Sequence, residues 1–187
     1  MLQNIEEIFN KYDGKWKNYQ PVYFKGRLLK TGYRDLNERF NLIDPVDLKG
    51  KSVIEFGCNI GMNCQLSVEN GATKAVGFDN EMHLIEIALD LNSFFKRNCE
   101  FYRMDLSRPL DFGKFDTGFM FAIDSHVKNN KELSTSILTN VTNVLYFETH
   151  ASKRSRKIPK EISDIFSQVI LLGTTCNKRR DFYKCIL

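Results

Sequence analysis

The pattern of apolar and polar positions changes character near residue 50. Before it, apolar side chains recur at helical spacing. Leu2, Ile5, Ile8, Phe9 and Tyr12 follow the i, i+3, i+4 rule, and Asp13-Gly14 ends that amphipathic helix. Residues 15–33 read as an irregular, aromatic-rich segment. Arg34 to Leu42 reads as a second short helix, with Leu36, Phe40 and Ile43 on one side. From Lys51 onward, short and continuously apolar runs alternate with helix-length segments. The runs are SVIEFG, KAVGFD, CEFYRM, FDTGFMFAI, NVLYFETH and SQVILLGTT, and DFYKCIL closes the chain. Helices are expected after the first run as far as Asn70-Gly71, and from Glu81 to about Arg97. Strands that are apolar along their whole length are covered on both faces. The pattern therefore predicts an α/β fold, a parallel sheet with crossover helices.

Two links break the rhythm. Only five residues, Thr175 to Arg179, separate the last two runs, whereas a parallel crossover needs about a dozen. Those two strands are expected to form an antiparallel hairpin or lie as near neighbours, so one strand of the sheet is reversed. Met104 to Lys114 is barely long enough for a crossover, and little or no helix is expected there.

Composition narrows the class. A chain of 187 residues with 42% apolar residues and 15 Phe, 7 Tyr and 1 Trp can bury a sizeable core, which argues against a disordered chain. No apolar run approaches the length of about 18 residues that a membrane span needs. The start, MLQNIEEIFNKYDGKW, is acidic in its first turn and does not read as a signal peptide. Cys58, Cys64, Cys99, Cys176 and Cys185 are scattered, and His83, His126 and His150 lie far apart. A reduced, cytoplasmic protein with buried thiols and no metal site is expected. The net charge of +4 is mild but unevenly divided. From residue 151 onward there are nine basic and three acidic residues, and before it 18 basic and 20 acidic.

The candidate chemistry begins at Val53-Ile54-Glu55-Phe56-Gly57-Cys58-Asn59-Ile60-Gly61. A glycine-rich strand-to-helix turn lets backbone approach a ligand and aims helix N-terminal N–H groups at it. The second strand ends in Asp79, an acid suited to accept both ribose hydroxyls of an adenosine. The third ends in Met104-Asp105-Leu106, an apolar shelf with a carboxylate, and the fourth near Asp124-Ser125-His126. On structural grounds alone, Gly57 and Gly61 would permit close strand–helix packing, Asp79 would cap the next helix, and Asp105 would form a turn before Ser107-Arg108-Pro109.

This set resembles the class I S-adenosylmethionine-dependent methyltransferases over roughly residues 48–187. The first turn is similar to that family's E/D-x-G-x-G-x-G signature, with Asn59, a residue that tolerates left-handed backbone, at the second glycine. The resemblance implies a Rossmann-like, seven-stranded, mostly parallel sheet in the order 3-2-1-4-5-7-6, its last strand antiparallel, with helices on both faces. It also implies S-adenosylmethionine as cofactor. Gly57, Asn59 and Gly61 would lie against the methionine part, Asp79 would bind the ribose, and Met104, Asp105 and Leu106 would hold the adenine. Glu55 would orient the turn or reach the ammonium through water, and Cys58 and Asn80 complete the set.

Methyl transfer requires a nucleophile lined up in a pocket that excludes water, and a base only where the nucleophile holds a proton. Ligands of open α/β sheets sit at the carboxyl ends of the strands, which makes Asp124, His126, Glu148 and His150 the catalytic candidates. His126 belongs to the residue type suited to proton transfer near neutral pH. Glu148 reads equally as a substrate ligand or a paired structural carboxylate. The Asn/Asp-Pro-Pro-Tyr/Phe motif of amino-adenine enzymes and the Pro-Cys of cytosine-5 enzymes are absent from the sequence.

Two basic clusters fall at the same edge. Lys153, Arg154, Arg156, Lys157 and Lys160 follow the fifth strand, and Lys178, Arg179 and Arg180 follow the sixth. They suggest a positive rim favouring a phosphate-bearing or nucleic-acid substrate, or else solvated loop charge. Residues 1–47 are expected to be a helical extension before the methyltransferase domain at 48–187. That extension is either a lid carrying Trp16, Tyr19, Tyr23, Phe24 and Tyr33, with Arg27, Arg34 or Arg39 near the cofactor carboxylate, or a packing appendage. The expected function is methyl transfer to a small molecule or an RNA. The alternatives are a catalytically silent cofactor-binding scaffold and an NAD-dependent enzyme, the latter disfavoured by the final hairpin.

Overall fold

Side chains alternate between the two faces of the central strands, and both sets are buried. Val53 belongs to one apolar cluster and Ile54 to another, and Phe119 and Met120 divide in the same way. A strand covered on both faces must be continuously apolar, which is how these segments read. The computed structural model describes residues 4–14, 19–123, 126, 130–150, 158–177 and 179–187. Its strands are β1 (Val22–Phe24), β2 (Arg27–Lys30), β3 (Ser52–Phe56), β4 (Lys74–Asp79), β5 (Cys99–Arg103), β6 (Phe115–Phe121), β7 (Val141–Glu148), β8 (Gln168–Thr175) and β9 (Arg180–Ile186). Its helices are α1 (Ile5–Lys11), α2 (Asn37–Phe40), α3 (Met62–Glu69), α4 (Met82–Phe95), α5 (Asn130–Asn140) and α6 (Lys160–Ser163).

The main sheet has seven strands in the order β5-β4-β3-β6-β7-β9-β8. Strands β3 to β7 are mutually parallel, and β9 runs antiparallel to both β7 and β8. Numbered within the sheet this is 3-2-1-4-5-7-6 with the last strand reversed, as the short Thr175–Arg179 link requires. Residues of α3 and α4 join the cluster on one face, and Leu133, Ile137 and Ile162 of α5 and α6 join the other. The link from Met104 to Lys114 carries no helix.

The N-terminal region departs from its expected form. Residues 15–33 contain a small antiparallel hairpin, β1–β2, not an irregular segment. Its two-residue turn is Lys25-Gly26, with φ of 50° and 72°. Positive φ at both turn positions matches the right-handed twist of the flanking strands. The helix expected over Arg34 to Leu42 is confined to Asn37–Phe40, entered through Asp35, whose Oδ1 accepts from the Asn37 N–H at 2.9 Å. Ile8, Phe9, Tyr12, Val22 and Leu36 pack with Ile60, Met62, Ile87, Leu91 and Phe95 in a third apolar cluster. Ile8, Val22 and Leu36 are at most 1% exposed, so truncating Ile8 or Leu36 to Ala would cost about 2–5 kcal/mol. No helix among the described residues is long and apolar enough to cross a membrane.

Candidate functional site

A cavity of about 1120 Å³ opens at the carboxyl edge of the sheet. It lies where the strand order reverses between β3 and β6, the switch point at which open α/β sheets bind ligands. One wall is the turn after β3. Gly57 sits at φ +81°, and a Cβ there would lie 2.4 Å from Ile123 Cγ2. Gly61, at φ +75°, is pressed against the Phe101 ring, 2.3 Å from where a Cβ would stand. Asn59 adopts φ +54°, a left-handed conformation that asparagine tolerates. The turn thus places Gly57, Asn59 and Gly61 all at positive φ. Gly57 and Asn59 line the cavity. Cys58 is fully buried, and its Cβ and Sγ fill the space beside Gly77, so it supports the turn from behind.

Asp79 at the end of β4 lines the same cavity. Its Oδ2 accepts from the Asn59 N–H at 2.8 Å and its Oδ1 from the Glu81 N–H at 3.1 Å. The carboxylate therefore ties the glycine turn to the entry of α4 while facing the cavity. Burial pushes it above its usual value, and the two N–H donors work against that rise. Met104, Asp105 and Leu106 form the next part of the wall, beside the exposed Asn80. Asp105 Oδ1 accepts from the Ser107 N–H at 2.9 Å and its hydroxyl at 2.7 Å. Glu55 is fully buried at the cavity floor. It accepts from Asn63 Nδ2 at 2.6 Å and from the Cys64 thiol at 3.2 Å, and burial pushes its carboxyl up to about 7. Asn63 Oδ1, also buried, has no partner among the described residues.

The opposite wall comes from β6, β7 and β9. Ala122 follows β6 at φ +58°, a strain of about 1–3 kcal/mol for a non-glycine residue. It is held there by donation from its N–H to the Glu148 carbonyl at 2.8 Å. His126 and His150 both line the cavity, with ring centroids 5.2 Å apart and edge to face. Asp124 lies outside the described residues.

Glu148 has no solvent exposure and receives three guanidinium groups. Arg34 Nη2 reaches Oε1 at 3.0 Å, Arg39 donates through Nε at 3.1 Å and Nη2 at 2.6 Å, and Arg180 Nη1 reaches Oε2 at 3.0 Å. The Thr175 hydroxyl adds a bond of 2.5 Å. Burial alone would raise this carboxyl, but the arginines, Arg39 foremost, hold it down at about 2. The sequence places Arg180 in a basic turn, either a positive rim at the substrate entrance or solvated loop charge. It is instead 7% exposed, because β9 starts at that residue and its side chain turns inward to Glu148 and to Tyr19 Oη at 3.3 Å. Arg179 and Lys160 are exposed, whereas Lys153, Arg154, Arg156, Lys157 and Lys178 lie outside the described residues.

Of the N-terminal aromatics, Tyr19 lines the cavity, while Phe24 stacks on Phe95 at 5.0 Å and Tyr33 is exposed. Trp16 lies outside the described residues. Sequence reasoning missed Gln20. It is 2% exposed, donates from Nε2 to the Cys58 carbonyl at 3.3 Å and accepts at Oε1 from the Met62 N–H at 3.2 Å. The N-terminal region thereby clamps the glycine turn, a contact across about forty residues that leaves no local signal. Among the described residues, no cluster of three or more His, Cys, Asp or Glu side chains is arranged to hold a metal.

Sheet order, reversed strand and switch-point cavity together define the class I methyltransferase fold. No family model matches the chain. Over 105 residues it is 32% identical to a tRNA U34 carboxymethyltransferase of Campylobacter hominis, a match spanning 53% of this chain and 37% of that one. Over 69 residues it is 38% identical to a ribosomal protein L11 methyltransferase of Klebsiella pneumoniae, spanning 37% of this chain and 22% of that one. Among solved structures, the bifunctional kinase-methyltransferase WbdD superposes with a TM-score of 0.76 at 18% identity, over 95% of this chain and 45% of that chain. An S-adenosylmethionine-dependent methyltransferase from Mesorhizobium loti gives 0.52 at 17% identity, over 60% of this chain and 52% of that chain. The chain thus matches between about a fifth and little more than a third of the length of these sequence relatives. These likenesses agree with the class I methyltransferase fold, and the sequence relatives that match part of the chain are methyltransferases by name.

Proposed function

We propose that the chain binds S-adenosylmethionine in the switch-point cavity and transfers a methyl group to a small-molecule or RNA acceptor. The observation that carries this reading is the contiguous wall formed by the Gly57–Asn59 turn, Asp79 and Met104–Leu106. Its chemistry fits that cofactor. Gly57 lines the cavity without a side chain, and Ile123 packs where its Cβ would stand. The unpartnered Asn63 Oδ1 and the Glu55 carboxyl beside it are acceptors for an ammonium group. Asp79 would take the ribose hydroxyls, and Met104 and Leu106 would flank the adenine with Asp105 at its edge. Glu55 and Cys58 hold the turn in shape, and Asn80 borders the ribose side.

When bound, the cofactor supplies a sulfonium-activated methyl group, so the protein's task is orientation and the exclusion of water. His126 and His150 are the side chains in place to take a proton from an acceptor that holds one. The named relatives support a methyltransferase reading and leave the acceptor open. Two measurements test the proposal. Calorimetry with S-adenosylhomocysteine and NAD should show binding of the first and not the second. Radiolabelled methyl transfer onto fractionated cell extract, with and without ribonuclease, should then label a fraction and assign it. Binding of NAD alone would overturn the reading.

A further inference from the structure

The arginine end of the cavity holds more positive charge than its own carboxylate neutralises. Three guanidinium groups, those of Arg34, Arg39 and Arg180, converge on the single carboxylate of Glu148. All three are at least nine-tenths buried. The other partners given by the structure carry no charge: the hydroxyls of Thr175 and Tyr19, and the Phe121 ring, 4.7 Å from the Arg39 guanidinium. The next carboxylate inward, Glu55, is engaged with Asn63 and Cys64. The cluster therefore carries an excess of two positive charges among the described residues. Buried charges of this kind are expected to be paired. Two donors, Arg34 Nε and Arg180 Nε, are buried with no hydrogen-bond partner among the described residues. Arg39 and Arg180 line the cavity, on the wall opposite Asp79 and Met104, together with Tyr19. A fork of N–H donors facing a cavity matches the oxygens of a carboxylate or phosphate.

We propose that Arg39 and Arg180, backed by Arg34 and with Tyr19 beside them, form a buried pocket for an anionic group, carboxylate or phosphate, carried by the methyl acceptor. This rests on the cofactor reading above for the word acceptor, but the anion pocket itself does not. Glu148 is a positioning residue: it holds the three guanidiniums together in the absence of the anion and fixes the face that Arg39 and Arg180 present. Ala122, strained and tied to the Glu148 carbonyl, locks the same corner of the cavity. The same pocket chemistry would also suit the carboxylate of the cofactor's own amino-acid part, and the experiment separates the two sources.

Inorganic phosphate and acetate are titrated into the full chain, alone and saturated with S-adenosylhomocysteine, at constant ionic strength set with chloride. The proposal expects either probe to bind the loaded protein, and Arg180→Gln to weaken that binding at least tenfold while cofactor affinity changes less than threefold. A rise in melting temperature with phosphate, absent with chloride, reads the same pocket in the unaltered protein should Arg180→Gln fail to fold. Displacement of phosphate by S-adenosylhomocysteine would give the pocket to the cofactor carboxylate and overturn the assignment to the acceptor. Absence of anion binding, or binding unchanged by Arg180→Gln, would overturn the pocket. Phosphate binding without any S-adenosylhomocysteine binding would support the pocket and contradict the cofactor reading instead.

Discussion

Two buried carboxylates flank one cavity, Glu55 lining it and Glu148 behind its arginine wall, and their surroundings drive them in opposite directions. Glu55, beneath the glycine turn, meets an amide and a thiol and is pushed up to about 7 by burial. Glu148, under the opposite wall, is just as buried, but three arginines hold it at about 2. Burial alone disfavours a charge, whereas burial with paired cations preserves it. The glycine-turn end is accordingly acidic and able to change its protonation near neutrality. The arginine end is permanently charged with cations in excess. A cavity with these two ends suits a cationic group at one and an anionic group at the other.

The largest expected effect separates the two acids. Glu148→Gln leaves three buried guanidiniums without a counter-charge and should cost about 3–5 kcal/mol in chemical denaturation. Inorganic phosphate should restore part of that loss. Glu55→Gln keeps an acceptor for Asn63 and should cost less than about 1.5 kcal/mol at neutral pH. Equal losses for the two variants would erase the contrast. Next comes the turn itself. Gly61→Ala adds a Cβ facing the Phe101 ring at positive φ and should cost about 2–4 kcal/mol. Gln20→Ala removes the acceptor of the Met62 N–H and leaves the Cys58 carbonyl only its bond from the Gly61 N–H. It should cost about 1–3 kcal/mol, and weaken S-adenosylhomocysteine binding although Gln20 belongs to the N-terminal region.

The smallest effect is in pH dependence, where the two acids carry opposite signs. Glu148 is depressed to about 2 from an ordinary 4.5. The unfolded chain thus binds more protons across that window, and stability should rise as pH climbs from about 2 to 4.5. Glu55 is raised to about 7 from 4.5, so the native state binds more protons between these values. Its contribution is present below 4.5 and is lost as pH rises through 7. Glu148→Gln should remove the rising limb and Glu55→Gln the falling one, as read from melting temperature against pH. A profile unmoved by Glu55→Gln would place that acid in a more polar setting than its burial indicates.

Much of the sheet was legible in the sequence because strands covered on both faces leave runs such as VIEF and VLYFE without alternation. The reversed strand was legible from arithmetic on one short link. The hairpin at Val22–Lys30 was not read, although Lys25-Gly26 is a turn signal, because its strands are only three and four residues long. Gly57, Asn59, Asp79 and Met104–Leu106 are consecutive strand ends, so local pattern placed them at one edge. Arg34, Arg39 and Arg180 meet Glu148 across 114, 109 and 32 residues. No local pattern encodes such a meeting, and Arg180 consequently read as a loop cation.

The central claim, that the cavity beneath the glycine turn holds S-adenosylmethionine, is tested most directly by titrating S-adenosylhomocysteine into the full chain and into Asp79→Ala. One-to-one binding to the parent, weakened at least tenfold in a variant that still melts cooperatively, is the predicted result. Absence of binding at millimolar concentration, or equal binding by both proteins, would contradict it.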